Sequence, residues 1–184
     1  MDSTTLTARA QFEALFRSHY RDVHRFALRR IDASVAEEIA TETFTICWAK
    51  LDSVPDPALP WLYGVARNCL ANRRRRIERH DETAARVHAE RGGVDGRDPA
   101  ERFAERDTIL RAFTSLSEPD REALRLVAWE GLALVDAARA AGTSRPAFAM
   151  RVHRARRRLA AHLNALEGSH RPADRLLEEA RDAV

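Results

Sequence analysis

Apolar positions recur at helical spacing along most of the chain. Phe12, Leu15, Phe16, Tyr20, Val23, Ala27 and Ile31 form the first such series and predict a helix over residues 8–31. Arg17, Arg21, Arg25 and Arg29 line a second face of it. Asp32 or Ser34 can cap the next helix. That helix is predicted over 35–51, with Ala36, Ile39, Ala40, Thr43, Phe44, Cys47, Trp48 and Leu51 as its buried stripe. Glu38, Thr41, Glu42 and Thr45 fall on a different, polar face. Pro55, Pro57 and Pro60 predict a loop over 52–60. Pro60 then suits the first turn of a third helix over 60–77. This helix buries Leu62, Val65, Ala66, Cys69 and Leu70 and ends on the four arginines 73–76, a sign that suits a helix C-terminus.

The pattern fails from about residue 79 to 99. Charges dominate there, and the stretch closes on GGVDGRDP, the composition of a flexible linker. Periodicity resumes with Phe103, Ile109, Leu110, Phe113 and Leu116. Ser117, Pro119 and the surrounding acids mark a helix start. The helix over 120–129 is expected to bury Leu124, Val127 and Ala128 and to stop at Gly131. Residues 133–163 read as helix, turn, helix. LVDAARAA ends at Gly142, a position suited to a left-handed residue. The second helix restarts after Thr143 and Ser144 and buries Phe148, Val152, Ala155 and Leu159. The tail 168–184 has the makings of a short amphipathic helix around Leu176 and Leu177.

Composition supports an all-α chain of 184 residues: two small helical domains, an N-terminal bundle and a C-terminal helix–turn–helix, joined by the linker. Apolar residues make up 45% of it, charged residues 32%, and Gly and Pro occur seven times each. The expected divisions are 8–78, a linker over 79–102, a second domain over 103–166 and a tail over 167–184. Net charge is only +3, but the basic charge is clustered at 73–76 and 145–158. A polyanion responds to such local clusters more than to the total. Lys50 is the sole lysine among 31 basic residues, and arginine suits bidentate contacts to phosphate or guanine. Cys47 and Cys69 sit on apolar faces and read as buried free thiols. No apolar run reaches the roughly 18–20 residues needed to cross a bilayer, and the N-terminus lacks a signal-peptide pattern. The chain is expected in the cytoplasm, without membrane contact of its own.

Three segments carry candidate function. The arginine-rich second helix of the helix–turn–helix suits a major groove: residues 144–166 hold six arginines and no acid. Arg145, Arg151, Arg154 and Arg158 share one broad face. Residues near the helix start can read base edges, and later arginines hold phosphates. The third helix carries Trp61, Tyr63, Arg67, Asn68 and Asn72 beside a Pro-rich loop and before a run including Arg73 and Arg75. Such a set can hold unstacked bases, at about 1–3 kcal/mol per stacked base. The acidic face with Glu38 and Glu42 would repel DNA, so it is either a solvated face or a seat for a basic protein.

AEEIATETFTICWAKL, PWLYGVARNCLANRRRR and LVDAARAAGTSRPAFAMRVHRARRRL, in this order and separated by a linker, resemble the signature segments of extracytoplasmic-function (ECF) sigma factors of bacterial RNA polymerase. The resemblance covers roughly residues 10–165. It implies a factor that binds core polymerase, directs it to promoters and helps melt the minus-ten element. Glu38, Thr41, Glu42 and Thr45 would meet the clamp helices of the largest subunit. Trp61, Tyr63, Arg67, Asn68, Asn72, Arg73 and Arg75 would hold the minus-ten element. Ser144, Arg145, Ala149, Arg151, His153, Arg154 and Arg158 would serve the minus-thirty-five element. An anti-sigma factor is a further implied partner. The chain departs from the family pattern at Thr41, where Gln is usual, at Gly64, where a basic residue is usual, and at Ala149 and Met150.

Two other readings compete. A stand-alone helix–turn–helix regulator leaves the first three helices without a role. An enzyme would need a site, yet the seven histidines are scattered and none joins a Cys or acid cluster at metal-ligand spacing. No metal, cofactor or catalytic residue is therefore expected.

Overall fold

The computed structural model describes the backbone of residues 3–81 and 108–181, with side chains over 7–77 and 108–166. All regular structure among these residues is helical. Helix α1 spans Ser3–Leu28, α2 Ala33–Ala49 and α3 Ala58–Asp81, with a 3-10 turn at Leu51–Ser53. Residues 108–114 form α4. Then come α5 (Glu118–Ala128), α6 (Leu134–Ala140) and α7 (Arg145–Arg181). The expected linker, apart from residues 79–81 at the end of α3, lies outside the described residues, as does Phe103.

By their packing the helices fall into two units. One holds α1, α2 and α3 together with Leu132–Arg145, and so α6; the other holds α4, α5 and α7 from Pro146 onward.

In the first unit, α2 buries Ala36, Ile39, Ala40, Thr43, Phe44 and Cys47. Thr43 is tolerated there because its hydroxyl donates to the Ile39 carbonyl at 2.7 Å. Leu62, Ala66, Cys69 and Leu70 supply the buried face of α3, and Val23, Phe26 and Ala27 that of α1. Phe26 is absent from the predicted stripe of α1, yet it is fully buried. Its ring stacks on Tyr63 at 4.6 Å between centroids. The Arg30 guanidinium sits 3.5 Å from the centre of the Phe26 ring and donates to the Phe26 carbonyl at 2.8 Å. Toward the start of α1, Phe12 and Phe16 pack edge-on against Trp48 and Phe44. Trp48, expected in the core, is 47% exposed: it sits in the last turn of α2, with Phe12 against its ring. Val65 is half-buried.

In the second unit, Phe113, Leu116, Leu124 and Ala155 form one cluster, with Leu159 against it. Arg121 fixes the turn between α4 and α5, donating to the carbonyls of Thr114 at 2.7 Å and Leu116 at 3.0 Å and pairing with Glu118. The buried face of α5 differs from expectation. Ala123, Leu124, Arg125 and Leu126 are buried, while Val127 is half-buried and Ala128 exposed. Arg125 is accommodated because its guanidinium lies near the rings of Phe113 and Trp129 and 3.4 Å from Glu118.

Helix ends follow the expected punctuation, with two differences. Asp32 and Ser117 occupy N-cap positions, but neither side chain makes the capping hydrogen bond. Gly131 and Gly142 both have φ of 65°, as a left-handed stop requires. After α6, the Thr143 amide donates to the Ala138 carbonyl at 3.0 Å, closing the helix end. The tail does not form a separate helix at 168: the backbone of α7 continues to Arg181.

Replacing Phe26 by Ala removes the ring that joins α1 to α3. The expected loss is about 3–5 kcal/mol from the first unit, measured by chemical denaturation.

Candidate nucleic-acid interface

Burying Ile39, Ala40, Phe44 and Cys47 turns the opposite face of α2 outward. That face and the start of α2 form an open hollow of ≈ 510 Å³ lined by Ser34, Glu37, Glu38, Thr41, Glu42 and Thr45. The four residues assigned to this surface from sequence are therefore side by side. Three carboxylates give the hollow an acidic rim, and sequence reasoning missed Glu37, one turn before Thr41. The Thr45 hydroxyl is spent locally, donating to the Thr41 carbonyl at 2.9 Å. Glu38 pairs with Arg73 of α3 at 2.6 Å. On the inner side, burial and then the charge of Glu42 push the Cys69 thiol up to about 11. Burial also raises Cys47. Both thiols therefore stay protonated and unreactive at neutral pH.

The rotation of α3 divides its candidate residues. At 100° per residue, Trp61, Gly64, Arg67, Asn68, Asn72 and Arg75 share one side of the helix. Asn68, Asn72 and Arg75 are exposed, and Trp61 and Arg67 are half-buried. Asn72 accepts from Arg75 at 2.8 Å. Two candidates leave this group. Tyr63 is buried, with its ring against Phe26, so it packs the core rather than offering a face to a base. Arg73 turns toward α2 and is held by Glu38. Arg67 stays on the face but donates from Nε to the Ala140 carbonyl of α6 at 3.1 Å.

On α7, Phe148, Val152 and Ala155 are buried, which points Met150, His153, Arg154 and Arg157 outward and leaves Ala149 half-buried at the side. Ser144 and Arg145, at the helix start, are exposed, and Arg151 is half-buried. Arg158 is used differently, pairing with the buried carboxylate of Asp120 on α5. Sequence reasoning missed Arg157, which is exposed near the centre of the outer face, and Asp120, whose nearly full burial gives no sign in an acidic helix start. Among the described residues, no cluster of His, Cys, Asp and Glu could hold a metal ion, and no helix is long and apolar enough to cross a membrane.

Comparison with known proteins gives the family. Residues 15–80 match sigma-70 region 2, and residues 106–159 match sigma-70 region 4. The ECF RNA polymerase sigma factor EcfG of Rhodopseudomonas palustris is 32% identical over 72% of this chain and 73% of its own. This chain belongs to the ECF sigma factors. Its function is promoter-specific initiation of transcription with RNA polymerase. The sigma factor is also 29% identical to SigC of Mycobacterium tuberculosis over 78% of both chains. Its fold resembles that of the sigma factor RpoE of Bartonella quintana, solved with the anti-sigma factor NepR. The TM-score is 0.63 at 25% identity, covering 83% of the sigma factor and 96% of that chain. A second likeness in fold is CnrH, solved with the cytosolic domain of CnrY, at a TM-score of 0.57.

The two arginines Arg154 and Arg158 should separate in experiment. Arg158→Ala leaves Asp120 buried without its cation and should cost the second unit about 1–3 kcal/mol. Arg154→Ala should leave stability within about 0.5 kcal/mol of the parent but weaken duplex DNA binding and lower its salt slope by about 1. Thermal melts and salt titrations of the two variants measure both.

Proposed function

We propose that this sigma factor divides promoter recognition and polymerase binding among three helix faces. The acidic hollow of α2, with Glu38, Thr41, Glu42 and Thr45, takes the basic side of the clamp helices of the largest polymerase subunit. The outer face of α3, with Trp61, Arg67, Asn68, Asn72 and Arg75, holds unpaired bases of the minus-ten element and so assists melting. The outer face of α7, with Arg145, Ala149, Arg151, His153 and Arg154 and with Ser144 at its start, docks on the minus-thirty-five element. Ala149 and Met150 give this last surface an apolar patch suited to thymine methyl groups. The functional divisions are residues 8–78 for polymerase and the minus-ten element and 103–166 for the minus-thirty-five element.

The observation that carries this reading is the separation of charge on α2 and α3. Carboxylates crowd the hollow on α2, while among the described side chains the outer side of α3 carries Arg67, Asn68, Asn72 and Arg75 and no acid. A DNA backbone is repelled by the first surface and drawn to the second. The factor performs no catalysis: the polymerase supplies the chemistry, and both act in the cytoplasm, where the promoters are. Because relatives of the same fold are solved with anti-sigma partners, we assign this chain an anti-sigma factor as well.

Replacing Glu38 and Glu42 together by Lys should weaken assembly with core polymerase at least about tenfold, since it reverses charge at a buried protein contact. Gel filtration with core enzyme reads assembly, and circular dichroism confirms the helices. Assembly at parental affinity would remove α2 from the interface. For the minus-ten surface, Trp61→Ala with Asn68→Ala in assembled holoenzyme should reduce open-complex formation without reducing assembly. Promoters for this assay come from initiation in vitro across a genomic library.

A further inference from the structure

The arginines of α1 have no part in the three faces described above. Arg17, Arg21 and Arg25 are exposed and follow one another at four-residue steps. Each therefore stands about 6 Å further along the helix axis and about 40° further round it. Val23, Phe26 and Ala27 bury the other side of the helix, so the arginine ridge faces away from the core. Among its described side chains α1 holds two acids, Glu13 and Asp22, both half-buried. Glu13 bonds Arg9 at 3.0 Å and Arg17 at 3.2 Å, so one carboxylate is shared by two guanidinium groups. Among the described residues, no carboxylate holds Arg21 or Arg25. A cation in the last turn suits the helix dipole, and Arg25 lies there. That accounts for Arg25 but not for Arg17 or Arg21. The residues on the same side are small: Ala10, Ala14 and Ser18, all exposed. A large flat body can thus reach all three guanidinium groups at once.

The rings of α1 decide between kinds of polyanion. Phe12, Phe16 and Tyr20 turn toward Phe44 of α2, and His24 stacks on Tyr20 at 6.0 Å. The arginine side is left without a ring on which an unstacked base could rest. It offers charge in a line, which fits the phosphates of a duplex and carries no sequence information. The three arginines span about 12 Å of axis, the length of about three to four base-pair steps at about 3.4 Å each.

We propose that the outer face of α1 is a further DNA-binding surface of this sigma factor. Its ridge of Arg17, Arg21 and Arg25 rides on the phosphate backbone of double-stranded promoter DNA without reading the sequence. The regular step of the ridge matches a repeating charge and needs no individually placed partner, as an acidic protein surface would supply. The ridge adds affinity and salt dependence, not specificity. It does not depend on α3 holding the minus-ten element, which calls for unpaired bases.

The test uses the full-length chain, a mixed-sequence DNA duplex and fluorescence anisotropy over a series of salt concentrations. Arg17→Gln, Arg21→Gln and Arg25→Gln together remove three charges, and Gln supports a helix about as well as Arg. The matching triple Lys variant keeps the charges. The Gln variant should bind the duplex at least about tenfold more weakly at low salt, with a salt slope smaller by about 2–3. The Lys variant should stay near the parent, and both should assemble with core polymerase as the parent does. In assembled holoenzyme, promoter complexes of the Gln variant should dissociate at lower salt, and equally so for different promoters. Parental affinity and slope in the Gln variant, with helicity intact, would make the ridge a solvated face and overturn the proposal. So would failure of the parent to bind the duplex at low salt. Loss of assembly with core polymerase at unchanged duplex affinity overturns it too, and assigns the ridge to an acidic protein surface.

Discussion

The stack of Tyr63 on Phe26 sets the rotation of α3, and most of what this sigma factor presents to its partners follows from that rotation. With Tyr63, Leu62, Ala66, Cys69 and Leu70 turned inward, the helix has no choice about which residues face out. Trp61, Gly64, Asn68, Asn72 and Arg75 lie together because each stands roughly opposite a buried position. Arg30 strengthens the same point by lying over the Phe26 ring and holding the Phe26 carbonyl. One aromatic contact between α1 and α3 thus decides which polar groups of α3 face outward. The core contact and the polar face are two sides of one helix.

Arginine is used in this chain for structure as well as for binding, and burial of its partner tells the uses apart. Arg158 continues the basic run of α7 in sequence, but its partner Asp120 is buried and the pair joins α5 to α7. Arg73 begins the run 73–76, yet it reaches across to Glu38. Arg121 and Arg125 sit in a helix start and a core, holding carbonyls, carboxylates and ring faces. Arg154, Arg156 and Arg157 stand exposed on α7. A basic cluster in sequence is therefore an upper bound on a basic surface. What remains after the internal pairs are removed is narrower and better directed.

This explains which parts could be read from the sequence. Helical periodicity located every long helix, because the period of 3.6 residues is a local property and needs no knowledge of neighbours. Four of the six residues lining the α2 hollow were legible for the same reason: a buried stripe on one side implies its opposite. Tyr63 was misread because an aromatic next to Trp61 looks like a stacking platform, and only the unpredicted burial of Phe26 shows that it is core. Arg125 was missed because an ionised side chain breaks an apolar stripe. The rings and carboxylates that make its burial tolerable come from Phe113, Trp129, Glu118 and Glu122 and become neighbours only on folding. Departures of the chain from its family were legible as letters but not as geometry. Gly64 reads as a lost basic residue until α6 is seen over it.

The outward face of α2 and the outer face of α3 are differently covered within the first unit. The acidic hollow lies on the far side of α2 from its packed core, whereas α6 packs against α3. The two faces therefore have different neighbours: the acidic hollow stays open, while part of the outer side of α3 is packed by protein. The Glu38–Arg73 pair sits between the two surfaces. A basic group arriving at the hollow competes for Glu38 and frees Arg73 at the arginine-rich end of α3. The exchange is small, since a half-exposed ion pair contributes at most about 1 kcal/mol. Its sign is nonetheless definite: releasing Glu38 from Arg73 leaves more positive charge at the arginine-rich end of α3.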